Sequence, residues 1–365
     1  MAEKLKNMFF TRESMGVFAD ALTAAYSDFD SNAFLNLVFD EKWETLELKE
    51  RMRHTTQALY ETLPDEFHQA IAILKKIAPK VKGFEAMTLH DYIELYGMQD
   101  WQTSLSAIRY FNQFASGEFA IRPFIESYPD TVFPFLLSCA EDEDERIRRF
   151  AGEGCRPRLP WAMALPALKR DPAPILPILE KLKDDPSEFV RKSVANNLND
   201  ISKDHPDLVL ELCERWKGYS PRTDWIIKHA CRTLLKAGDK RAMLLFGFGN
   251  PDNLHIRSLA CEKQSLSIGE KQLFTFTLKV YGKKNCKIRL EYSVCYIKSN
   301  GKSSKKIFQI SENSYEPGEY VFKRKQTFED MSTRKHFPGE HSIAIIVNGE
   351  EKAKCSFQLT SKDTG

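Results

Sequence analysis

Apolar residues in the first two-thirds of the chain recur every three to four positions, the spacing of a helix with one buried face. Met15, Phe18, Ala19, Leu22 and Tyr26 mark a helix predicted over 14–27, and Phe34, Leu35, Val38 and Phe39 a short second one. Helices are predicted over 48–63 and 65–77, the latter bracketed by Pro64 and Pro79. An aromatic-rich segment, 84–101, leads into helices over 104–115, 119–126 and 129–140 and one around Ile147. Residues 165–182 carry four prolines and read as short helices joined by tight turns. Residues 189–198, 207–216, 224–235 and 242–248 complete the helical series. After Leu254 the period falls to two. Strands are predicted over 272–280, 286–297, 306–310, 320–328, 342–347 and 354–359, with Asn348-Gly349 as a hairpin turn. Gly249 to Asn253 reads as a linker. The pattern therefore predicts an all-α repeat body over 1–250 and a small all-β sandwich over 256–365.

A second periodicity lies on the helices. Ile108-Arg109, Ile147-Arg148, Val190-Arg191 and Ile227-Lys228 place a basic residue at intervals of 39, 43 and 37. Such a repeat predicts stacked helical hairpins with the basic residues on a common face. Glu118 and Asp200 each follow a repeated arginine by nine residues, whereas Glu153 follows Arg148 by five. If the repeats superpose, the three acids converge on one surface. Arg149 precedes Glu153 by one helical turn and is placed to keep it ionised. Gly152 and Gly154 flank Glu153, costly residues inside a helix, and are read as opening the carboxylate to something bulky. Arg156-Pro157-Arg158-Leu159-Pro160-Trp161 is read as ending this helix and starting the next. A tryptophan beside two arginines and a carboxylate suits clamping and stacking against a phosphate backbone. Lys228 and Arg232, four apart, continue the basic series.

Composition refines this picture. The net charge is only +2, but residues 256–365 hold 20 lysines and arginines against 12 aspartates and glutamates, a net +8, leaving −6 for the remainder. Lys323 and Lys325 are expected on one side of a strand with Arg324 opposed, and Arg334 and Lys335 in the loop beyond. This basic module is expected to bind phosphates. The eight cysteines form no C-x-x-C pair, and nothing calls for a metal or cofactor. No phosphate-binding glycine loop, G-x-S-x-G or H-E-x-x-H is present. No stretch reaches 18 apolar residues; the chain is expected to be a reduced, soluble, cytoplasmic bacterial protein, nucleoid-associated when bound to DNA, and a monomer.

The segments RRFAGEGCRPRLPWA, VRKSVANNLNDISKDHP and RYFNQFASGEFAIRPF resemble the HEAT-repeat alkylpurine DNA glycosylases of the AlkC/AlkD type, the AlkC branch most closely. The tail resembles the immunoglobulin-like extension of some AlkC members. The resemblance implies a HEAT-like solenoid followed by an immunoglobulin-like sandwich. It implies excision of 3-methyladenine and, in the AlkC branch, 3-methylcytosine from duplex DNA, without drawing the lesion into a deep pocket. On the matching positions, Glu118, Glu153, Asp200 and Trp161 would be catalytic, and Arg149 and Arg158 would contact DNA. Arg109, Arg148, Arg156, Arg191, Lys228, Arg232, Lys323, Lys325, Arg334 and Lys335 join them as candidate DNA contacts from their placement. The chemistry is coherent: a cationic alkylated base leaves readily, and carboxylates stabilise the oxocarbenium-like sugar left behind. The competing reading is a non-catalytic repeat scaffold or damage sensor.

Overall fold

The computed structural model describes residues 8–331 and 334–361. Packing divides the chain into two units, Met1–Ala230 and Cys231–Gly365. The division falls about twenty residues before the linker read from the sequence, because two short helices pack with the β-unit.

Fourteen α-helices lie in the first unit among the described residues: α1 (Arg12–Ala25), α2 (Ser31–Val38), α3 (Leu48–Tyr60), α4 (Phe67–Ile77), α5 (Met87–Tyr96), α6 (Trp101–Phe111), α7 (Ile121–Ser127), α8 (Pro129–Cys139), α9 (Glu145–Gly154), α10 (Pro166–Arg170), α11 (Leu176–Leu182), α12 (Glu188–Ile201), α13 (Pro206–Trp216) and α14 (Pro221–Ala230). Their apolar faces form the core, with Phe18, Leu74, Ile108, Phe124, Phe150 and Leu198 all buried. Local chemistry fixes the ends. Thr11, Asp30, Asp100 and Asp144 accept backbone N–H groups at helix starts, and prolines open α8, α10, α13 and α14.

The repeated basic residues stitch the stack together. Arg109 of α6 pairs with Asp142 in the turn before α9. Arg148 of α9 grips Asp185 before α12 at 2.6 and 3.1 Å, and also donates to the carbonyls of Asp142 and Glu143 at 3.0 and 2.8 Å. Arg191 of α12 donates to the carbonyls of Asp185 and Pro186 at 2.9 and 2.7 Å. The periodicity is thus that of a ladder: each arginine holds a turn, and two of the three reach the acid of the next repeat. Their guanidinium groups are engaged here, whereas the sequence reading assigned them to phosphates.

α9 packs against α12, and α12 against α14. The two glycines explain how α9 comes so close to its neighbours. A Cβ on Gly152 would lie 2.8 Å from Ser193 Oγ of α12, and one on Gly154 2.8 Å from Ile121 Cγ2 of α7. The glycines serve helix–helix approach, which corrects the reading that they clear a path to Glu153. Asn197 reinforces this contact by donating to Gly152 O at 2.8 Å. We expect Gly152→Ala to cost about 1–3 kcal/mol through overpacking, measured by chemical denaturation. Adding Ser193→Ala should return most of it; no recovery would mean that the glycine is required for another reason.

Two further sequence readings change. The segment 224–235 is not one helix. It breaks at Cys231 between α14 and α15 (Arg232–Ala237), so Lys228 and Arg232 belong to different helices. Trp161 does not begin a helix but stands in the loop before α10.

The second unit comprises α15, α16 (Lys240–Leu245) and eight strands: β1 (Leu254–Cys261), β2 (Ser265–Ser267), β3 (Lys271–Val280), β4 (Cys286–Ile297), β5 (Ser303–Tyr315), β6 (Gly318–Thr327), β7 (Gly339–Val347) and β8 (Glu350–Thr360). They form two sheets, β1-β3-β6 and β2-β8-β7-β4-β5, facing each other across Phe274, Phe276, Leu290, Val294, Ile343, Ile345 and Phe357. Asn348 and Gly349 both take positive φ, 46° and 83°, as the tight β7–β8 hairpin requires. On edge strand β6, Lys323 and Lys325 are exposed and Arg324 is half-buried, in the predicted alternation. Cys261 of β1 and Cys355 of β8 are joined as a disulfide between the sheets, correcting the expectation of a fully reduced chain.

Candidate active site

The three acids come from three places in the repeat stack. Glu118 lies in the turn between α6 and α7, Glu153 in the last turn of α9, and Asp200 near the end of α12. All are recessed, with 7, 8 and 3 % of their side chains accessible. Two arginines join them. Arg149 pairs with Glu118 and lies 3.7 Å from Glu153. Arg156 donates from Nη1 to Glu153 Oε1 at 2.6 Å and from Nε to Asp200 Oδ2 at 2.9 Å. The order is therefore Glu118–Arg149–Glu153–Arg156–Asp200, with Lys203 donating to the far oxygen of Asp200 at 3.1 Å. The sequence reading gave Glu153 to Arg149 alone and Arg156 to DNA; in the structure Arg156 is the closer partner and bridges two acids.

Electrostatics follow from this geometry. Burial is the largest influence on Arg149 and lowers its pKa, with Glu153 opposing it. Burial also pulls on Arg156, but Glu153 and Asp200 together carry that guanidinium above its ordinary value. Counting the enclosed groups alone, three carboxylates stand against two arginines; Lys203, 39 % accessible, supplies the third positive charge from a more solvated position. Such a site favours a neighbouring cation, and most of all one that develops during a reaction.

The Glu118 turn is closely built. Ser116 Oγ donates to Glu118 Oε2. Asn112 Oδ1 accepts from the Gly117 N–H at 3.1 Å, and His90 Nε2 donates to Ala115 O at 3.2 Å. The carbonyl can only accept, so the proton of this ring sits on Nε2. Burial pushes the His90 pKa down to about 4, so the imidazole is neutral. Only glycine fits at 117, since a Cβ there would lie 2.4 Å from His90 Cε1.

Phe189 and Phe119 adjoin the acid set, and Trp161 is tied to Phe119 through Lys49. Trp161 is 67 % exposed, sits at φ 66°, and its carbonyl accepts from Lys49 Nζ at 2.8 Å. Lys49 also lies over the Phe119 ring at 4.8 Å. Phe189, at the start of α12, is 44 % exposed and carries the Arg149 guanidinium 4.5 Å above its ring. A bulky side chain in the left-handed region is strained, and such strain persists where the surroundings impose it, often at functional sites. Phe189, Phe119, Lys49 and Ser116 were not singled out from the sequence; an exposed phenylalanine next to the ladder motif Val190-Arg191 was the available signal.

The other candidates are spread out. Arg158 pairs with Asp204 at 2.7 Å and is about one-third exposed. Lys228 and Arg232 are half-buried. In the β-unit Arg334 lies 5.3 Å from the Tyr296 ring centre, and Lys335 is exposed.

A helical-repeat unit with arginine-linked acids, followed by a β-sandwich, is an architecture with known relatives. The model of the DNA alkylation repair enzymes matches residues 35–234, more than half the chain, and a model described as the C-terminal Ig-like domain of uncharacterised protein YhaZ matches 255–361. The chain belongs to the DNA alkylation repair enzyme family. It is 44 % identical over 351 residues to a Bacillus subtilis (strain 168) protein described as "Uncharacterized protein YhaZ", covering 96 % of this chain and 98 % of that one. It is also similar to the Pseudomonas fluorescens alkylpurine DNA glycosylase AlkC, solved bound to DNA containing an abasic site analog. The TM-score is 0.93 at 36 % identity, over 98 % of this chain and 99 % of that chain. The helical unit is homologous to the AlkC/AlkD-type glycosylases and is followed by a separate Ig-like domain. Among the described residues no helix is long and apolar enough to cross a membrane.

Proposed function

We propose that this chain is a DNA glycosylase of the AlkC branch. It removes cationic N-alkylated bases, 3-methyladenine and 3-methylcytosine, from duplex DNA in the cytoplasm, acting as a monomer. The observation that carries this reading is the linked set Glu118–Arg149–Glu153–Arg156–Asp200. The bond from C1′ to the base nitrogen breaks, and its electron pair leaves with the base, which becomes neutral. Positive charge appears on the sugar, where the recessed carboxylates stabilise it. Water then attacks C1′ and gives its proton to one of these carboxylates. The alkyl group has already made the base a good leaving group, so no separate acid is needed. Trp161 and Phe189 supply surfaces for the damaged nucleotide, and the lesion is handled without a deep pocket.

The direct test is single-turnover excision on a duplex carrying one alkylated base, with binding to the same duplex measured separately. Binding without release of the base would favour a damage sensor instead. In this assay Trp161→Ala should slow excision while holding stability within about 0.5 kcal/mol, as for other exposed positions. A large loss of thermal stability would instead make Trp161 a packing residue.

The basic edge of the β-unit is proposed to add phosphate contacts through Lys323 and Lys325, with Arg334 and Lys335 in support. Charge reversal at both exposed strand lysines, in the full chain, should weaken DNA binding and reduce its salt slope by about 2, roughly one per lost contact. An unchanged slope would remove this strand from the interface.

A further inference from the structure

Arg122, the second residue of α7, is fully buried. Among the described residues its hydrogen-bond partners are all main-chain carbonyls: Nε donates to Met163 O at 2.7 Å, and Nη1 to Gly154 O and Arg156 O, both at 2.9 Å. Nη2 is buried with no partner. Burial is the largest influence on this guanidinium and lowers its pKa to about 10, so it stays charged at neutral pH. Enclosing a charge without a paired carboxylate is costly, and an aliphatic side chain would pack the same space more cheaply. A guanidinium offers instead several donors in one rigid plane.

Those donors reach both ends of one loop. Gly154 closes α9, Arg156 follows it, and Met163 lies just before α10. Between them stand Arg158 and the strained Trp161. The loop's other ties are Leu165 N–H to Pro157 O at 3.2 Å, Ala162 N–H to Leu159 O at 3.4 Å, the Arg158–Asp204 pair, and Lys49 to the Trp161 carbonyl. The close approach of Gly154 to Ile121, the residue before Arg122, brings α7 near enough for this grip.

We infer that Arg122 is a positioning residue for the excision site. Holding the carbonyls of Gly154, Arg156 and Met163, it fixes the loop so that Arg156 spans Glu153 and Asp200 and Trp161 is held outward. The inference rests on the proposed function for its effect on catalysis, but its effect on the loop can be read without activity.

The test uses the full chain labelled with 5-fluorotryptophan, which gives one fluorine resonance for each of the five tryptophans. Trp161→Phe assigns the resonance of interest. Arg122→Lys keeps the charge but cannot reach three separated carbonyls from one ammonium; Arg122→Met is the second variant, lacking the charge. In Arg122→Lys the Trp161 resonance should shift or broaden while the other four hold. Excision should fall about tenfold or more, the scale of a misplaced catalytic group, with affinity for the same duplex retained. The inference is overturned if the Trp161 resonance is unchanged in both variants. It is equally overturned if all five resonances move in both, because Arg122 would then support the fold at large. If the wild-type chain releases no base, the proposed function fails, and the fluorine spectra still decide the role of Arg122.

Discussion

Glu153→Gln should lower single-turnover excision by about 10²–10³-fold, the range seen when one preorganised electrostatic group is removed from a transition state. Glutamine is nearly the same shape, and its carbonyl oxygen can still accept from Arg156, which now bonds Glu153 Oε1 at 2.6 Å. The loop and the arginines should therefore stay in place while the charge is lost. Glu153 is the central acid of the set, with Arg149 on one side and Arg156 on the other. Its removal takes one carboxylate charge out of the enclosed set, and on the proposed mechanism the cationic sugar loses part of its stabilisation. Duplex affinity should change little, because recessed carboxylates add nothing to phosphate binding. Rapid-quench release of the base, alongside equilibrium binding, checks both parts; unchanged excision would remove Glu153 from the site.

Arg156→Met should have the largest effect on stability. The arginine is 8 % accessible and lies between Glu153 and Asp200, themselves 8 and 3 % accessible. Removing it leaves two enclosed carboxylates facing each other, with Lys203 touching only Asp200. Breaking a buried ion pair from one side typically costs about 3–5 kcal/mol. Urea denaturation should show that loss, and adding Glu153→Gln with Asp200→Asn should recover most of it. A single variant as stable as the wild type would mean that Arg156 does not hold the two acids together.

Much of this architecture could be read from periodicity. The recurrence of Arg109, Arg148 and Arg191 indicated stacked repeats because ladder contacts demand one basic residue per repeat. The same recurrence was silent about what those residues touch. Their acidic partners, Asp142 and Asp185, sit in turns where acids also serve as caps and solubilising charges. Lys323 and Lys325 were legible as exposed neighbours because a strand fixes alternation directly. Gly152 and Gly154 were visible as exceptions in a helix, but whether a glycine admits a ligand or another helix depends on Ser193 and Ile121, far away in sequence. Arg122 lies in a segment that carries the family resemblance, but nothing there marks it for a role of its own. It has no repeat counterpart, its hydrogen bonds go to carbonyls and not to Glu118 or Glu126 four positions away on either side, and those three carbonyl partners lie 32 to 41 residues away. The break at Cys231 was hidden because helix-favouring residues continue on both sides of it.

The measurement that bears most directly on the central claim is product analysis. Purified full-length protein is incubated with duplex DNA containing 3-methyladenine or 3-methylcytosine, and the small-molecule and DNA fractions are separated by mass spectrometry. The account predicts free methylated base, with an uncleaved strand bearing an abasic site opened by later alkali treatment. Tight binding to the lesion duplex with the modified base still attached to its sugar would contradict it.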